Sequence, residues 1–207
     1  SPPAQFEQYE FEAAQGWGEA QTSGWVKKLS PDELSVLTTY KDSSFKINSY
    51  LRQPALWEYL PLKKKEEIVR YIKELDSAIS KGGFSQDVIV YRGLSEKVLK
   101  EIGGVSSLLG KSIADKAYGS TSLLPDIAAK FTGAGLSPSD GVILKITIKK
   151  GVSSMYLDNP GIKKPAFTTE YEVVLPRNTE IKLSSKLGSA FIRRRHFRTL
   201  EGYVETP

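Results

Sequence analysis

The sequence has no cysteine and a single histidine, His196. Without cysteine there is no disulfide framework, no thiolate zinc site and no cysteine nucleophile. One histidine cannot build a multi-histidine metal site, and it leaves a single candidate for a Ser-His-Asp triad. The chemistry of this chain must therefore use carboxylates, hydroxyls, arginines or a cofactor, and no metal is expected.

Long apolar runs are absent as well. No run approaches the roughly 20 residues that cross a bilayer, so we expect no membrane insertion by this domain. Residues 1–5 lack the basic end and the apolar stretch of a signal peptide. Because the sequence also lacks an initiator Met, we expect it to be one domain excised from a larger protein. Its 207 residues are enough to bury a sizeable core.

The charge balance is only mildly basic, with 29 Lys and Arg against 24 Asp and Glu. A nucleic-acid binder usually concentrates its basic residues in a stripe. Lys63–Lys65 is followed at once by two glutamates, which is typical of a solvated helix face. Arg193–Arg195 could meet an acidic partner surface, a phosphate, or nothing. The composition therefore does not favour a nucleic-acid partner.

The first 85 residues are expected to be mainly helical. Ser-Pro-Asp-Glu at residues 30–33 combines an N-cap, a proline at the first helical position and a capping box. Residues 42–44 are expected to interrupt this helix. A longer helix follows Pro61, with apolar residues at helical spacing, and ends at two glycines, residues 82–83.

From residue 86, β-branched runs bounded by Gly or Pro predict a β-rich core. Strands are expected at Asp87–Arg92, Gly141–Ile148, Glu170–Leu175 and Glu180–Leu183, one or two strands at Ala190–Val204 around a turn at Glu201-Gly202, and short helices at Val98–Ile102 and Pro125–Phe131. The predicted fold class is α+β, with a helical N-terminal lobe packed on a mixed or antiparallel β-sandwich core.

Three short motifs in the β-rich half carry the polar side chains of interest. They are Tyr-Arg-Gly at residues 91–93, Gly-Ser-Thr-Ser at residues 119–122, and Glu-Tyr-Glu at residues 170–172. Each is weak alone, since a Glu-x-Glu also occurs at residues 10–12. Alternate residues of a strand point to one face, so Glu170 and Glu172 are expected to reach the same site.

In this order the motifs resemble the Arg-Ser-Glu class of bacterial mono-ADP-ribosyltransferase toxins. The likeness is to the clostridial-type branch, which includes binary actin-modifying toxins and the smaller Rho-modifying exoenzymes. Residues 47–52, Ile-Asn-Ser-Tyr-Leu-Arg, add to it. The resemblance implies a single catalytic domain of the ADP-ribosyltransferase type over 1–207, with a helical lobe at 1–85, a β-rich core at 86–207, and NAD as co-substrate.

The resemblance also implies the catalytic roles. Glu172 would stabilise the oxocarbenium-like transition state at the ribose and hold its 2′-hydroxyl. Ser120 would fix the rotamer of Glu172, and Glu170 would orient the acceptor. A carboxylate at residue 170 suits an arginine acceptor, which it can bind bidentately. The Rho-modifying relatives carry Gln there and modify asparagine, so Glu favours arginine.

The residues implied to bind NAD lie on both halves of the chain. Arg92 and Arg52 would contact the phosphates, since guanidinium matches the geometry of phosphate. Phe131 would pack against nicotinamide, with an ordinary core position as the alternative. The full set implied by the resemblance is Tyr40, Asn48, Arg52, Arg92, Gly93, Thr121, Ser122 and Phe131.

Recognition of the protein substrate is implied for the segment Asn159–Thr169 and its flank. Phe167 would touch the target protein or pack under the loop, and Tyr171 follows the loop. These two residues are the implied recognition residues.

The leading hypothesis is a toxin domain that is secreted or injected by a bacterium and acts in the host cytosol. It would transfer ADP-ribose from NAD to an arginine of a host protein, with accompanying NAD glycohydrolase activity, and actin is the favoured target. A Rho-type small GTPase is the alternative target, and a non-catalytic binding module of the same fold is the alternative function. Delivery would depend on a partner chain, a parent protein or a secretion machine.

Overall fold

The computed structural model describes residues 1–133, 141–164 and 169–207, in which three long helices precede a β-rich part that contains two short helices. The α-helices are α1 (Phe11–Val26), α2 (Pro31–Arg52), α3 (Leu62–Ser80), α4 (Glu96–Glu101) and α5 (Pro125–Ala129). The β-strands are β1 (Val88–Leu94), β2 (Ser112–Ala114), β3 (Gly119–Ser122), β4 (Val142–Ile148), β5 (Met155–Tyr156), β6 (Glu172–Leu175), β7 (Glu180–Ile192) and β8 (Arg195–Val204). Single 3₁₀ turns lie at Pro54–Trp57, Val105–Ser107 and Lys130–Thr132.

Helix α2 begins with the predicted capping box. The Ser30 hydroxyl accepts a hydrogen bond from the Glu33 amide, and the Glu33 carboxylate accepts one from the Ser30 amide. The helix is kinked at Ser43, whose φ of −125° is non-helical. The predicted interruption at residues 42–44 is thus a kink inside one helix, and both parts of α2 reach the cleft described below.

The strands form one mixed sheet in the order β2-β7-β8-β4-β1-β3-β6-β5. Strands β4 and β8 pair in parallel, and the other pairs are antiparallel. The pair Tyr91–Ser122 joins β1 to β3 and so links the two halves of the sheet. Residues of both halves, such as Leu144 and Val173, share one buried apolar cluster. The predicted α+β class with a mixed β core is confirmed.

A second apolar cluster packs the helical lobe against the β5–β6 end of the sheet. Leu37 of α2 and Leu75 of α3 are fully buried there with Met155 and Val174 of the strands. This packing sets α2 beside β3 and β6, where the Gly-Ser-Thr-Ser and Glu-Tyr-Glu motifs lie. Within the described ranges, the helices are too short or too polar to span a bilayer.

The end of the chain differs from the sequence-based prediction. The expected turn at residues 201–202 is wrong, because β8 continues through both residues and Gly202 pairs with Leu183 of β7. A Cβ at Gly202 would lie 2.9 Å from the Leu183 side chain, so this glycine permits close strand approach. The hairpin turn is instead formed by Arg193 and Arg194, which have positive φ.

Candidate active site

A cleft lies between the kinked helix α2 and the strands β1, β3 and β6. Charged groups of both signs line it, together with exposed aromatic rings. The predicted site residues that the cleft brings together are Asn48, Arg52, Arg92, Gly93, Ser120, Thr121, Ser122, Phe131, Glu170 and Glu172. The three motifs of the β-rich half therefore converge on one surface.

Glu172, the first residue of β6, is 6% exposed and is held through both carboxylate oxygens. Ser120 Oγ donates to Oε2 at 2.6 Å, and Lys41 Nζ donates to Oε1 at 2.8 Å. The backbone amide of Glu172 donates to the Asp158 carboxylate at 2.8 Å. The carboxylate is thus fixed in one orientation.

Strand pairing explains the contact between Ser120 and Glu172. In the antiparallel pair β3–β6, Ser120 lies opposite Val174 and Ser122 lies opposite Glu172. Diagonal neighbours on such a pair share a face and are within reach of each other. The Gly-Ser-Thr-Ser motif therefore positions its first serine against the carboxylate, two residues from its direct partner.

Glu170 lines the same cleft as Glu172, but not for the reason that the sequence suggested. The strand begins at Glu172 rather than Glu170, because Tyr171 has a φ of 50° and leaves the extended conformation. The Ser122 hydroxyl bonds the Glu170 carbonyl and fixes this turn. Burial and the neighbouring charge of Glu172 raise the pKa of Glu170.

Lys41 and Asp158 complete this end of the cleft, and sequence reasoning missed both. The Lys41 side chain is 2% exposed and also lies 3.8 Å from Asp158, which is fully buried. Although burial alone lowers the pKa of Lys41, the charges of Glu172 and Asp158 outweigh it and leave the pKa raised. The amine is therefore an ammonium ion between two carboxylates.

Arg52 and Arg92 line the opposite end of the cleft, and both are bonded to Asp115, which lies outside its lining. Arg52 donates to both Asp115 oxygens at 3.0 and 2.7 Å, and Arg92 donates to one at 3.1 Å. The Ala117 amide also bonds this carboxylate. Burial raises the pKa of Asp115, but the hydrogen bond from Arg52 and the other donors more than offset it, and its pKa is lowered. One anion thus aligns two cations.

Asn48 and Tyr40 occupy different depths below this surface. The Asn48 amide donates to the Tyr40 hydroxyl at 3.1 Å and accepts from the Tyr118 amide at 3.2 Å. Tyr40 is 1% exposed, packs edge-to-face on Tyr118 and belongs to the core below the cleft. Tyr40, which the resemblance implies as an NAD-binding residue, therefore supports Asn48 from below and is not part of the cleft lining.

Gly93 and Thr121 are held in place by close contacts with the backbone of neighbouring elements. A Cβ at Gly93 would lie 2.2 Å from the Ala128 carbonyl oxygen, so only glycine lets α5 approach β1 so closely. Thr121 donates to the Val173 carbonyl at 2.7 Å across the strand pair. These residues shape the cleft through its backbone.

Aromatic side chains stand at the rim of the cleft. Phe131 is 55% exposed, which excludes the alternative of an ordinary core position. Phe45 of α2 also lines the cleft and is exposed. Tyr171 points elsewhere, and its ring stacks on Phe11 of α1. Phe167 lies outside the described residues.

The described part of the expected recognition segment is bonded to the end of the cleft that holds Glu172. Lys164 donates to Asp158 at 2.6 Å and to Thr169 at 3.0 Å. Asn159 donates to Thr22 of α1 at 3.0 Å. Asp158 therefore anchors this segment and the amide of Glu172 at once.

Comparisons with known proteins agree with this geometry. The family model described as ADP-ribosyltransferase exoenzyme matches residues 14–190. The NAD(+)–arginine ADP-ribosyltransferase EFV of Enterococcus faecalis is 31% identical over 156 residues, which are 74% of this chain and 29% of that protein. The Mono-ADP-ribosyltransferase C3 of Clostridium botulinum C phage is 27% identical over 192 residues, which are 84% of this chain and 71% of that protein.

Solved structures share the fold along the whole chain. C3stau2 from S. aureus, solved with NAD, has a TM-score of 0.72 and 22% identity, and the match covers 100% of both chains. In contrast, this chain spans under a third of the length of the E. faecalis relative.

Proposed function

The chain belongs to the ADP-ribosyltransferase exoenzyme family, and we propose that it transfers ADP-ribose from NAD to an arginine side chain of a host protein. The observation that carries the proposal is the carboxylate of Glu172, bonded by Ser120 at 2.6 Å in a cleft that also holds Glu170. The Arg52–Arg92 pair at the other end of that cleft gives it a matching anion site.

The residues of the cleft fit the parts of NAD. Two guanidinium groups suit a pyrophosphate, which they can bind bidentately. The exposed ring of Phe131 suits the flat nicotinamide. The Glu172 carboxylate has lone pairs left for a ribose hydroxyl, since each oxygen accepts one bond in the free protein. A solved structure of a similar protein contains NAD, which supports this assignment.

The proposed reaction begins with loss of nicotinamide. The bond between ribose C1 and the nicotinamide nitrogen breaks, and the electron pair leaves with nicotinamide. Positive charge develops on the sugar, and the fixed charge of Glu172 stabilises it. The arginine nitrogen then bonds to C1 and loses a proton, for which Glu170 is the nearby base. When water takes the place of arginine, the result is NAD hydrolysis.

Glu170 supports arginine as the acceptor. Its carboxylate lines the cleft beside Glu172 and can bind a guanidinium bidentately. The E. faecalis relative is named as an NAD(+)–arginine ADP-ribosyltransferase, which agrees with this choice. Actin is the target we favour, from the resemblance to binary toxins, and a Rho-type small GTPase is the alternative.

We also propose that this domain is part of a larger secreted or injected toxin that acts in the host cytosol. The matched region is 29% of the E. faecalis relative, as expected for a catalytic domain within a longer protein. Delivery of this domain would then depend on the rest of its own parent protein, on a partner chain or on a secretion machine.

Labelled NAD and host lysate test the acceptor assignment through Glu170→Gln. We expect this variant to lose transfer of label to protein while it keeps nicotinamide release, because Glu170 acts on the acceptor. Glu12→Gln is the matched control, since Glu12 is an exposed residue of the other Glu-x-Glu sequence. A wild-type protein that neither transfers label nor releases nicotinamide would refute the proposed function. A labelled band of actin's size in the wild-type reaction would identify the target.

A further inference from the structure

Lys41 is a buried cation for which the sequence motifs give no reason. Its side chain is 2% exposed, and its ammonium group lies 2.8 Å from Glu172 and 3.8 Å from Asp158. A buried charge is costly unless it is paired and hydrogen-bonded. The two carboxylates therefore offset the cost of burying the Lys41 charge, and Lys41 in turn acts on them.

Charged groups from several elements face Glu172. Lys41 comes from α2, Asp158 follows β5, and Glu170 precedes β6, while Lys164 and Lys130 act on Asp158 and Glu170 respectively. The carboxylates of Glu170, Glu172 and Asp158 repel one another at this range. Lys41 is the cation that contacts Glu172 within the described ranges. Without it, ionised Glu172 would face two further acids and no direct counter-charge.

The contact also has a geometric consequence. Lys41 bonds one oxygen of Glu172 and Ser120 bonds the other. Two donors on opposite oxygens fix the carboxylate plane, whereas one donor leaves it free to rotate. Helix α2 supplies Lys41 before its kink at Ser43 and Asn48 after it, and both line the cleft. The same helix thus supports the carboxylate and the cleft wall.

We propose that Lys41 is a positioning residue that, with Ser120, holds the Glu172 carboxylate in the orientation that receives the ribose of NAD. This role rests on the proposed function. It differs from a packing role, in which an apolar side chain of similar length could replace lysine without loss of kcat.

The test compares Lys41→Met, Lys41→Arg and the control Lys46→Met in nicotinamide release from NAD. Lys46 lies on the same helix and is exposed, so its variant removes a charge without touching Glu172. For Lys41→Met we expect kcat to fall by about 10- to 100-fold, the usual effect of losing a hydrogen bond between charged groups. KM for NAD should change little, because Arg52 and Arg92 stay in place. Lys41→Arg should keep more of the wild-type kcat than Lys41→Met, because it retains a hydrogen-bonding cation.

Two results of this comparison would overturn the role of Lys41. The first is a Lys41→Met enzyme with wild-type kcat, which indicates packing alone. The second is a Lys41→Met enzyme in which KM for NAD rises while kcat is unchanged, which indicates a role in NAD binding rather than in positioning Glu172. In both cases active wild-type protein leaves the proposed function intact, whereas inactive wild-type protein refutes the proposed function.

A second measurement decides the matter where Lys41→Met does not fold. In protein labelled with ¹⁵N-lysine, the Lys41 amine is followed by NMR during a pH titration of wild type and Glu172→Gln. Burial lowers the pKa of Lys41, but the charges of Glu172 and Asp158 raise it by more than burial lowers it. We therefore expect the Lys41 amine to titrate at lower pH in Glu172→Gln than in wild type. Identical titration in both proteins would overturn the proposed pairing, and this readout needs no activity.

Discussion

The two ends of the cleft use opposite charge arrangements. At the carboxylate end, the cation of Lys41 lies between the acids Glu172 and Asp158, all nearly inaccessible to water. At the arginine end, the anion of Asp115 lies between the cations Arg52 and Arg92, whose side chains are 45% and 21% exposed. The carboxylate end is buried, and the arginine end is partly exposed with an excess of base.

This difference indicates a division of labour. A buried, fixed carboxylate acts strongly on a charge that develops in the transition state, because the surroundings need no reorganisation. Half-exposed arginines are partly screened and are suited to an anion that is charged before and after the reaction. Changes at the carboxylate end should therefore lower kcat, and changes at the arginine end should raise KM for NAD.

The largest of the remaining effects is expected for Ser120→Ala at the carboxylate end. A hydrogen bond to a charged group contributes about 1.5–3 kcal/mol, so we expect kcat for nicotinamide release to fall about 10- to 100-fold. KM for NAD should change little. Steady-state kinetics with Ser189→Ala, an exposed serine of β7, as the control would check this. A rise in KM for NAD with unchanged kcat would contradict the proposed division of labour between the two ends of the cleft.

A smaller effect is expected for Arg92→Met at the arginine end. This variant should raise KM for NAD about tenfold, which corresponds to the low end of the free energy that a hydrogen bond to a charged group contributes. The low end is expected because the site is partly exposed. Arg52→Met should raise it less, since the Arg52 side chain is more exposed than that of Arg92. Kinetics at constant ionic strength measure both. The comparison between the two ends fails if either variant lowers kcat as much as Ser120→Ala.

The smallest effect is expected on the ratio of transfer to hydrolysis as the pH changes. Burial and the charge of Glu172 raise the pKa of Glu170. Its carboxylate is therefore protonated at a higher pH than an ordinary glutamate, whose pKa is about 4.3. Since Glu170 acts on the acceptor, lowering the pH through this raised pKa should reduce the ratio of transfer to nicotinamide release. Parallel assays across mildly acidic pH check this, and a constant ratio would argue against a separate role for Glu170.

The sequence predicted the parts of the site that are written as contiguous motifs. Ser120 and Glu172 could be found because strands β3 and β6 carry recognisable patterns in a fixed order. The reasoning for Glu170 failed in detail, because a left-handed Tyr171 cannot be recognised from a Glu-x-Glu pattern. Its side chain still lines the cleft.

The residues that sequence reasoning missed are single charges without a motif. Lys41 is 131 positions from Glu172, and Asp115 is 63 positions from Arg52. Such partners meet only because α2 packs on the β5–β6 end of the sheet. A lone lysine in an amphipathic helix is usually a solvated residue, so nothing in its local sequence distinguishes Lys41. Helix packing, rather than local pattern, decides the electrostatics of this cleft.

The central claim is that Glu172 acts on the reacting ribose carbon, and Glu172→Gln tests it most directly when NAD binding and nicotinamide release are measured on the same preparation. The account predicts that release falls by about 10²–10³-fold or more, while the calorimetric Kd for NAD stays close to the wild-type value. Glu12→Gln should match wild type in both. Release at the wild-type rate by Glu172→Gln would contradict the account.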